Sequence, residues 1–352
     1  PSPLIFSCSP PHVLQLSMLT ALKIENLTCM PGSLGELTSL TTLVIASVPW
    51  VSWVPKSLGP LGQLTSLATL KLTSLHLTCL PDTLDQLTAL TTLDLTSCCS
   101  LTRLPESVSN LTALTTLDLT CCCSLTRLPE SVGNVTAITS LVLAGCSKLT
   151  GLPDSLGLLT ALTSIDLSMC TSLTSLPGSI GQLVALTTLY LHSCVALTGV
   201  PASTSRLTAL TKLNLSACDL LEMPVWMQDG AAGPLDHSPL HLLGLPPCVC
   251  SLPAWVCQQT MLTELDLTGC SWLTCLPDSM GWLTCLTILN LEGCRALTCL
   301  PDSIVQLAAL TELDLVECVS LTQLPDTVGQ LTALARLCVS DCLWARLPDS
   351  LG

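Results

Sequence analysis

The sequence predicts an α/β repeat protein: a right-handed solenoid with a curved parallel sheet on its concave face and short helices or turns on its convex face. Three observations predict it. The stretch "LTALTTLDLTSCCSLTRLPESVSN", Leu87 to Asn110, is followed at once by "LTALTTLDLTCCCSLTRLPESVGN", Leu111 to Asn134. The first leucine of an L-x-x-L-x-L run recurs at Leu19, Leu40, Leu67, Leu90, Leu114, Ile138, Leu162, Leu186, Leu210, Leu262, Leu286, Leu310 and Leu334, in steps of 24 residues from Leu90 to Leu210 and from Leu262 to Leu334. Leucine also supplies the core, since 49% of the chain is apolar while Phe and Tyr occur once each.

The shared frame is L-x-x-L-x-L-x-x-C-x-x-L-x-x-L-P-[DE]-S-[LVI]-G-x-L-T-x. It matches the leucine-rich repeat pattern in period and in its Asn/Cys position. About 13–14 such repeats fill the chain. The expected organisation is one solenoid over 1–352, with 1–18 the tail of a truncated repeat, 224–261 a degenerate repeat with a loop insertion, and 343–352 a truncated last repeat. A chain of 352 residues would ordinarily divide into several globular domains, but repeats that contact only their neighbours escape that expectation.

Each position of the frame has a physical task. The L-x-L core alternates as a strand does, leucines inward and the residues between them outward. Thr92, Asp94, Thr96 and their equivalents therefore belong to the concave face. The ladder Cys98, Cys122, Cys146, Cys170, Cys194, Cys218, Cys270, Cys294, Cys318 and Cys342 falls where the chain leaves the strand. A thiol buries there at little polar cost and offers a weak donor to a carbonyl of the turn. In the Leu-Pro-Asp/Glu-Ser segment, proline suits a first helical turn and the acid suits the positive end of a helix dipole. Asp82, Glu106, Glu130, Asp154, Asp278, Asp302, Asp326 and Asp349 are thus read as helix-start residues rather than catalytic carboxylates.

Charge narrows the partners. Eleven Lys and Arg stand against 25 Asp and Glu, a formal charge of -14. Nucleic acid is excluded as a partner because neutralising phosphates takes clustered cations. A protein ligand with a basic surface is the natural complement. No membrane span is expected, because polar residues interrupt every window of the roughly 20 apolar positions that a spanning helix needs. No secretory signal is evident at the start, which is not Met. Together with an ending at "LPDSLG", this suggests a piece of a longer chain whose terminal repeats lack polar caps.

The segment "LDLTGCSWLTCLPDSMGWLTCLTILNLEGCRALTCLPDSIVQL" resembles the leucine-rich repeat region of plant intracellular disease-resistance receptors, whose repeats carry Gly-Cys-Ser turns followed by Leu-Pro-x-Ser-Ile-Gly. The resemblance covers nearly the whole chain and implies a ligand-sensing module. The nucleotide-binding engine of that family has no counterpart: no G-x-x-x-x-G-K-[ST] occurs, and "GPLGQLTS" at Gly59 to Ser66 lacks the lysine. No cofactor is expected. Extracellular plant receptors of this type carry Gly-x-Ile-Pro where this chain has Leu-Pro, which favours a cytoplasmic address. The triplets at Asn26, Asn110, Asn134 and Asn214 point instead to secretion, although the Asn-Leu-Thr junction of the repeat itself generates two of them.

Of the 23 cysteines, ten belong to the ladder, and most are expected to be reduced. Cys121, Cys122 and Cys123 are adjacent, yet strand-to-turn geometry sends neighbours to different sides, against a tetrahedral site. The other set of ligand-type residues, His237, His241, Cys248, Cys250 and Cys257, matches no usual zinc spacing, and Pro239 keeps the two histidines off one helix face. No metal is assigned to either. Those residues lie in the one irregular stretch, where Gln228 to Pro247 reads as a loop that could carry recognition.

The outward strand positions map where the surface is individualised. The partner-binding candidates are Asp94, Asp118, Asp166 and Tyr190, then Glu264, Asp266, Glu292, Glu312, Asp314, Glu317 and Asp341, which make the last third of the concave face acidic. Solvated charges that keep a leucine-rich chain in solution are the plain alternative. The expected function is a non-catalytic protein-recognition module, the ligand-sensing repeats of an innate-immunity-like intracellular receptor. The alternative is an intracellular signalling or cytoskeletal scaffold. An enzyme would need convergent polar groups, which the repeats do not supply.

Overall fold

The computed structural model describes residues 4–6, 18–25, 32–46, 58–222 and 240–342. Contacts divide the chain into two compact units, 1–186 and 187–352. The first contains β1 (Leu4–Phe6), β2 (Ala21–Glu25), β3 (Thr42–Ala46), β4 (Thr69–Thr73), β5 (Thr92–Asp94), β6 (Thr116–Asp118), β7 (Ser140–Val142) and β8 (Ser164–Asp166). The second contains β9 (Thr188–Tyr190), β10 (Lys212–Asn214), β11 (Leu242–Gly244), β12 (Glu264–Asp266), β13 (Ile288–Asn290), β14 (Glu312–Asp314) and β15 (Arg336–Cys338). Within each unit every strand pairs in parallel with the next in sequence. The register follows the repeat, so Asp94 faces Asp118 and Glu264 faces Ile288.

The convex side carries the expected short helices or turns, and the sequence spacing explains why they are 3-10 rather than α. Leucines follow each proline at intervals of three, as in Pro81, Leu84, Leu87 and Leu90. Three residues per turn is the 3-10 period, whereas an α-helix would rotate successive leucines out of line. The backbone obeys it: Leu84 N donates to Pro81 O, Leu87 N to Leu84 O and Leu90 N to Leu87 O, at 3.2, 3.0 and 2.9 Å. The segments Asp82–Gln86, Glu106–Asn110 and Asp278–Trp282 are five-residue 3-10 helices of this kind. Proline stands just outside the helix with extended geometry, Pro105 having φ -72 and ψ 153, and the acid is the first helical residue. So short a helix has little dipole, which weakens the role expected for these acids.

The core is a column of leucines. Leu93, Leu95, Leu117, Leu119, Leu289 and Leu291 are wholly buried, as are Cys98, Cys122 and Cys294. The ladder thiols donate not to their own turn but to the preceding repeat: Cys122 Sγ to Leu95 O at 3.3 Å, Cys146 Sγ to Leu119 O at 3.2 Å and Cys218 Sγ to Leu191 O at 3.1 Å. Threonine does the same at the strand entrance, Thr115 Oγ1 donating to Thr91 O at 3.0 Å and Thr287 Oγ1 to Thr263 O at 2.9 Å. Each bond adds a further donor to a carbonyl that already accepts a backbone N–H, as Leu95 O does from Cys98 and Thr91 O from Thr115 and Thr116.

Two strands lie in segments expected to be irregular. Leu4–Phe6, within the supposed tail, pairs with β2 in the register Leu4 to Leu22. Leu242–Gly244, inside the supposed loop, pairs with β10 and β12 on its two sides. The sequence signal for this strand is "LHLLGL", which repeats the L-x-x-L-x-L run at Leu240, Leu243 and Leu245, all buried. It lies 30 residues after Leu210 and 22 before Leu262, so a search in steps of 24 passes over it. His237 and the rest of 223–239 lie outside the described residues.

Candidate functional site

The outward strand residues place the candidate site. In the second unit, one row reads Lys212, Leu242, Glu264, Ile288, Glu312 and Arg336, and the next reads Asn214, Gly244, Asp266, Asn290, Asp314 and Cys338. Acid is therefore concentrated on β12 to β14, with a cation on each side. Glu312 Oε1 accepts from Arg336 Nη1 at 2.7 Å. Burial raises the Glu264 carboxyl above the usual carboxylate range, helped by the negative charges of Asp266 and Glu312 and opposed by Lys212.

The row of aspartates has a structural task that spacing alone does not reveal. In one repeat after another, Oδ1 of this residue accepts the backbone N–H two residues on: Asp94 from Thr96 at 3.0 Å, Asp118 from Thr120 at 2.9 Å, Asp166 from Ser168 at 2.9 Å and Asp314 from Val316 at 2.9 Å. Asn214 and Asn290 accept the same bond from Ser216 and Glu292. This Asx-type bond sets the bend by which the chain leaves the sheet. Either Asp or Asn can make it, because each has an Oδ1 acceptor, and the alternation of the two residues in the sequence was its visible trace.

The eleven candidates thus fall into groups. Asp266 is engaged by its own chain on both oxygens: Oδ1 takes Thr268 N and Oγ1, and Oδ2 takes Ser216 Oγ at 2.8 Å and Asn214 Nδ2 at 3.4 Å. Asp94 binds Thr96 and also Lys71 Nζ at 3.1 Å. Burial alone would raise its carboxyl, but the Thr96 bonds and the Lys71 ammonium outweigh burial and hold it below the usual range. Asp118, Asp166 and Asp314 commit Oδ1 to the turn, and Asp314 also accepts a hydrogen bond from the Cys338 thiol. Tyr190 stands in the same row on β9, half-buried.

Glu292, Glu317 and Asp341 lie beyond the strands, on the turns. Glu317 and Asp341 occupy a left-handed position, φ 59 and 60, where Gly269 and Gly293 stand in the repeats before them. Glu292, Glu317 and Arg295 line a groove of about 280 Å³ floored by those two glycines, and Arg295 Nη2 pairs with Glu317 Oε2 at 2.6 Å. The structure therefore brings Glu292 and Glu317 together, and sets them apart from the strand row that carries Asp266 and Asp314.

A second groove, of about 380 Å³, lies on the flank of the first unit between Asp82, Arg103, Glu106, Ser107 and Arg127. Among the described residues no three His, Cys, Asp or Glu are grouped to hold a metal ion. His241 Nδ1 lies 3.1 Å from Met261 O, Cys257 is buried, and Cys248 and Cys250 are exposed. No helix among the described residues is long and apolar enough to cross a membrane.

A leucine-rich repeat protein of Leptospira interrogans superposes on the chain with a TM-score of 0.77 at 26% identity, over 98% of this chain and 84% of its own. The fold is that of a leucine-rich repeat solenoid. An internalin of Listeria monocytogenes matches with a TM-score of 0.60 at 16% identity, over 96% of this chain and 86% of its own. The Arabidopsis receptor kinase HAESA, solved with the peptide hormone IDA and the co-receptor SERK1, matches with a TM-score of 0.55 at 21% identity, over 94% of this chain and 63% of its own. No protein-family model and no curated protein sequence matches the chain.

Proposed function

We propose that this chain is a non-catalytic protein-recognition module whose leucine-rich repeats present the outward side chains of β12 to β14 to a partner with a basic surface. The observation that carries this is the register of Glu264, Asp266, Asn290, Glu312 and Asp314 on one face of adjacent strands about 4.8 Å apart. The strand residues among them are half-buried, so a partner cation meets carboxylates in a medium less polar than water, where attraction is stronger. Glu264 offers its carboxylate, while Asp266 supports the sheet and Asp314 is shared with the Cys338 thiol. The same fold in HAESA accompanies a peptide ligand, which supports a peptide or protein segment as the partner here.

The finer reading is the ligand-sensing region of an innate-immunity-like receptor in the cytoplasm, resting on the Leu-Pro-x-Ser-Ile-Gly subtype of its repeats. The test uses arrayed lysine- and arginine-rich peptides as the probe. Reversing Glu264, Glu292 and Asp314 to lysine is expected to abolish their capture, while reversing Asp82 and Glu106 leaves it intact. Equal loss from both sets would overturn the proposal, because it would show an attraction to net charge without a surface.

A further inference from the structure

The sequence stretches "TSCCS" and "TCCCS" place exposed cysteines beside the buried ladder in two consecutive repeats of the first unit. Cys98 and Cys122 belong to the ladder and are wholly buried. Cys99 is exposed and Cys123 is half-buried. Their sulfurs lie 3.9 Å apart, and both thiols donate to one carbonyl, that of Cys121, at 3.3 Å each. The two sulfurs are thus drawn together by a shared acceptor.

The backbone keeps the pair in register. The hydrogen-bond ladder of β5 and β6 runs on past the strands through Leu95 N to Asp118 O at 2.8 Å and Ser97 N to Thr120 O at 2.7 Å. Neighbouring chains in such a ladder lie about 4.8 Å apart, within the roughly 4.4–6.8 Å over which Cα atoms accept a disulfide. No large displacement separates the dithiol from the bonded state, since rotation about the side-chain bonds of an exposed cysteine brings the sulfurs together. The buried ladder has no such freedom. Cys98 Sγ is held on Leu72 O at 2.9 Å and Cys122 Sγ on Leu95 O at 3.3 Å, between leucines.

We propose that Cys99 and Cys123 form a dithiol modification site, which hydrogen peroxide converts to a disulfide between the two repeats. The Cys99 thiolate attacks one peroxide oxygen and the O–O bond breaks; the sulfur becomes a sulfenic acid and the departing hydroxide takes a proton to leave as water. The Cys123 thiolate then attacks the sulfenic sulfur, the S–S bond forms, the S–O bond breaks and a second water leaves. Two thiols lose two electrons and two protons in all, and the peroxide becomes two waters. Burial, and the neighbouring Cys99 sulfur, hold the Cys123 thiol above its ordinary value, which suits the order given, with the exposed thiol reacting first. Burial pushes the Cys98 thiol up to about 12, so the ladder stays out of the chemistry.

The test treats the reduced chain with hydrogen peroxide, digests it without reduction and maps the cross-links by mass spectrometry. Trypsin cleaves after Arg103, so a Cys99–Cys123 bond joins two separate peptides. That linked pair is expected to be the first oxidation product. It is expected to vanish in Cys99→Ser and in Cys123→Ser, with the sulfenic acid left on Cys99 of Cys123→Ser trapped by dimedone, and to persist in Cys121→Ser. Circular dichroism of each variant checks that the repeats remain folded. A first cross-link through Cys121, or Cys99 passing to sulfinic acid while Cys123 remains alkylatable, would overturn the assignment.

Discussion

The Ser216 hydroxyl donates to the Asp266 carboxylate at 2.8 Å across an intervening strand. Strand β11 lies between them, and the bond exists because that strand offers Gly244 in the row, which has no side chain to fill the gap. A Cβ placed on Gly244 would fall on the Asn214 carboxamide oxygen and lie 3.2 Å from Asn214 Cα. Gly244→Val is therefore expected to displace Asn214 and sever Asp266 from Ser216, costing about 1–3 kcal/mol from overpacking. Urea unfolding of Gly244→Val and Ser216→Ala measures it, and a Gly244→Val midpoint equal to the parent would show that the gap is incidental.

The Asx-type bond predicts an asymmetry between two substitutions at one site. Asp118→Asn keeps the Oδ1 acceptor for Thr120 and should leave stability unchanged, as Asn214 and Asn290 do in their own repeats. Asp118→Ala removes the acceptor and should cost about 1 kcal/mol. Equal midpoints for the two variants would show that the bond to Thr120 contributes nothing.

Asp94 and Glu264 should respond to pH with opposite signs. The folded state holds Asp94 below its unfolded value, so its contribution is present above the unfolded carboxylate pKa and is lost as pH falls through the folded one. Asp94→Asn should therefore destabilise the protein at neutral pH, with the difference disappearing in acid. The folded state raises Glu264, so its contribution is present below the unfolded pKa and is lost as pH rises through the folded one. Glu264→Gln should stabilise the protein at neutral pH and make no difference in acid. Denaturant midpoints from about pH 3 to pH 7 separate the two, and parallel shifts in both variants would contradict the environments described.

The cysteines should divide by reactivity. Alkylation of the native chain is expected to mark exposed Cys79, Cys99, Cys275, Cys285 and Cys299 early and Cys122, Cys146 and Cys294 last, since burial raises the ladder thiols far above their ordinary value. Denaturation should then release the ladder together. Early labelling of Cys146 would mean that the leucine column opens far more readily than its burial implies.

How much of this was legible before the structure varies by element. The strands of the regular repeats could be read residue by residue, because an L-x-x-L-x-L run in steps of 24 leaves one way to bury its leucines. Strand β11 escaped because its two spacings, 30 and 22, depart from the period although its leucines do not depart from the pattern. The convex segments are legible as short helices or turns from Leu-Pro-Asp-Ser, and the run of leucines at intervals of three carries the information that they are 3-10. Spacing placed Asp94, Asp118, Asp266 and Asp314 in one row, but it could not show how many oxygens each had left.

The sequence by itself determined the architecture, since a repeat that cannot bury its leucines alone must stack, and identical repeats stack in register. Only the tertiary structure decided the fate of individual polar groups. Asp266 and Asp314 occupy the same frame position with the same local sequence, Glu-Leu-Asp-Leu. One is engaged on both oxygens because Gly244 on the adjacent strand leaves room for Ser216, just past β10, to reach it, and the other has Asn290 and Cys338 as neighbours. The physical reason is range: burial of an apolar column is set by a periodicity that any window of the chain displays, whereas a hydrogen bond is set within about 3 Å by whatever side chain the adjacent repeats place there.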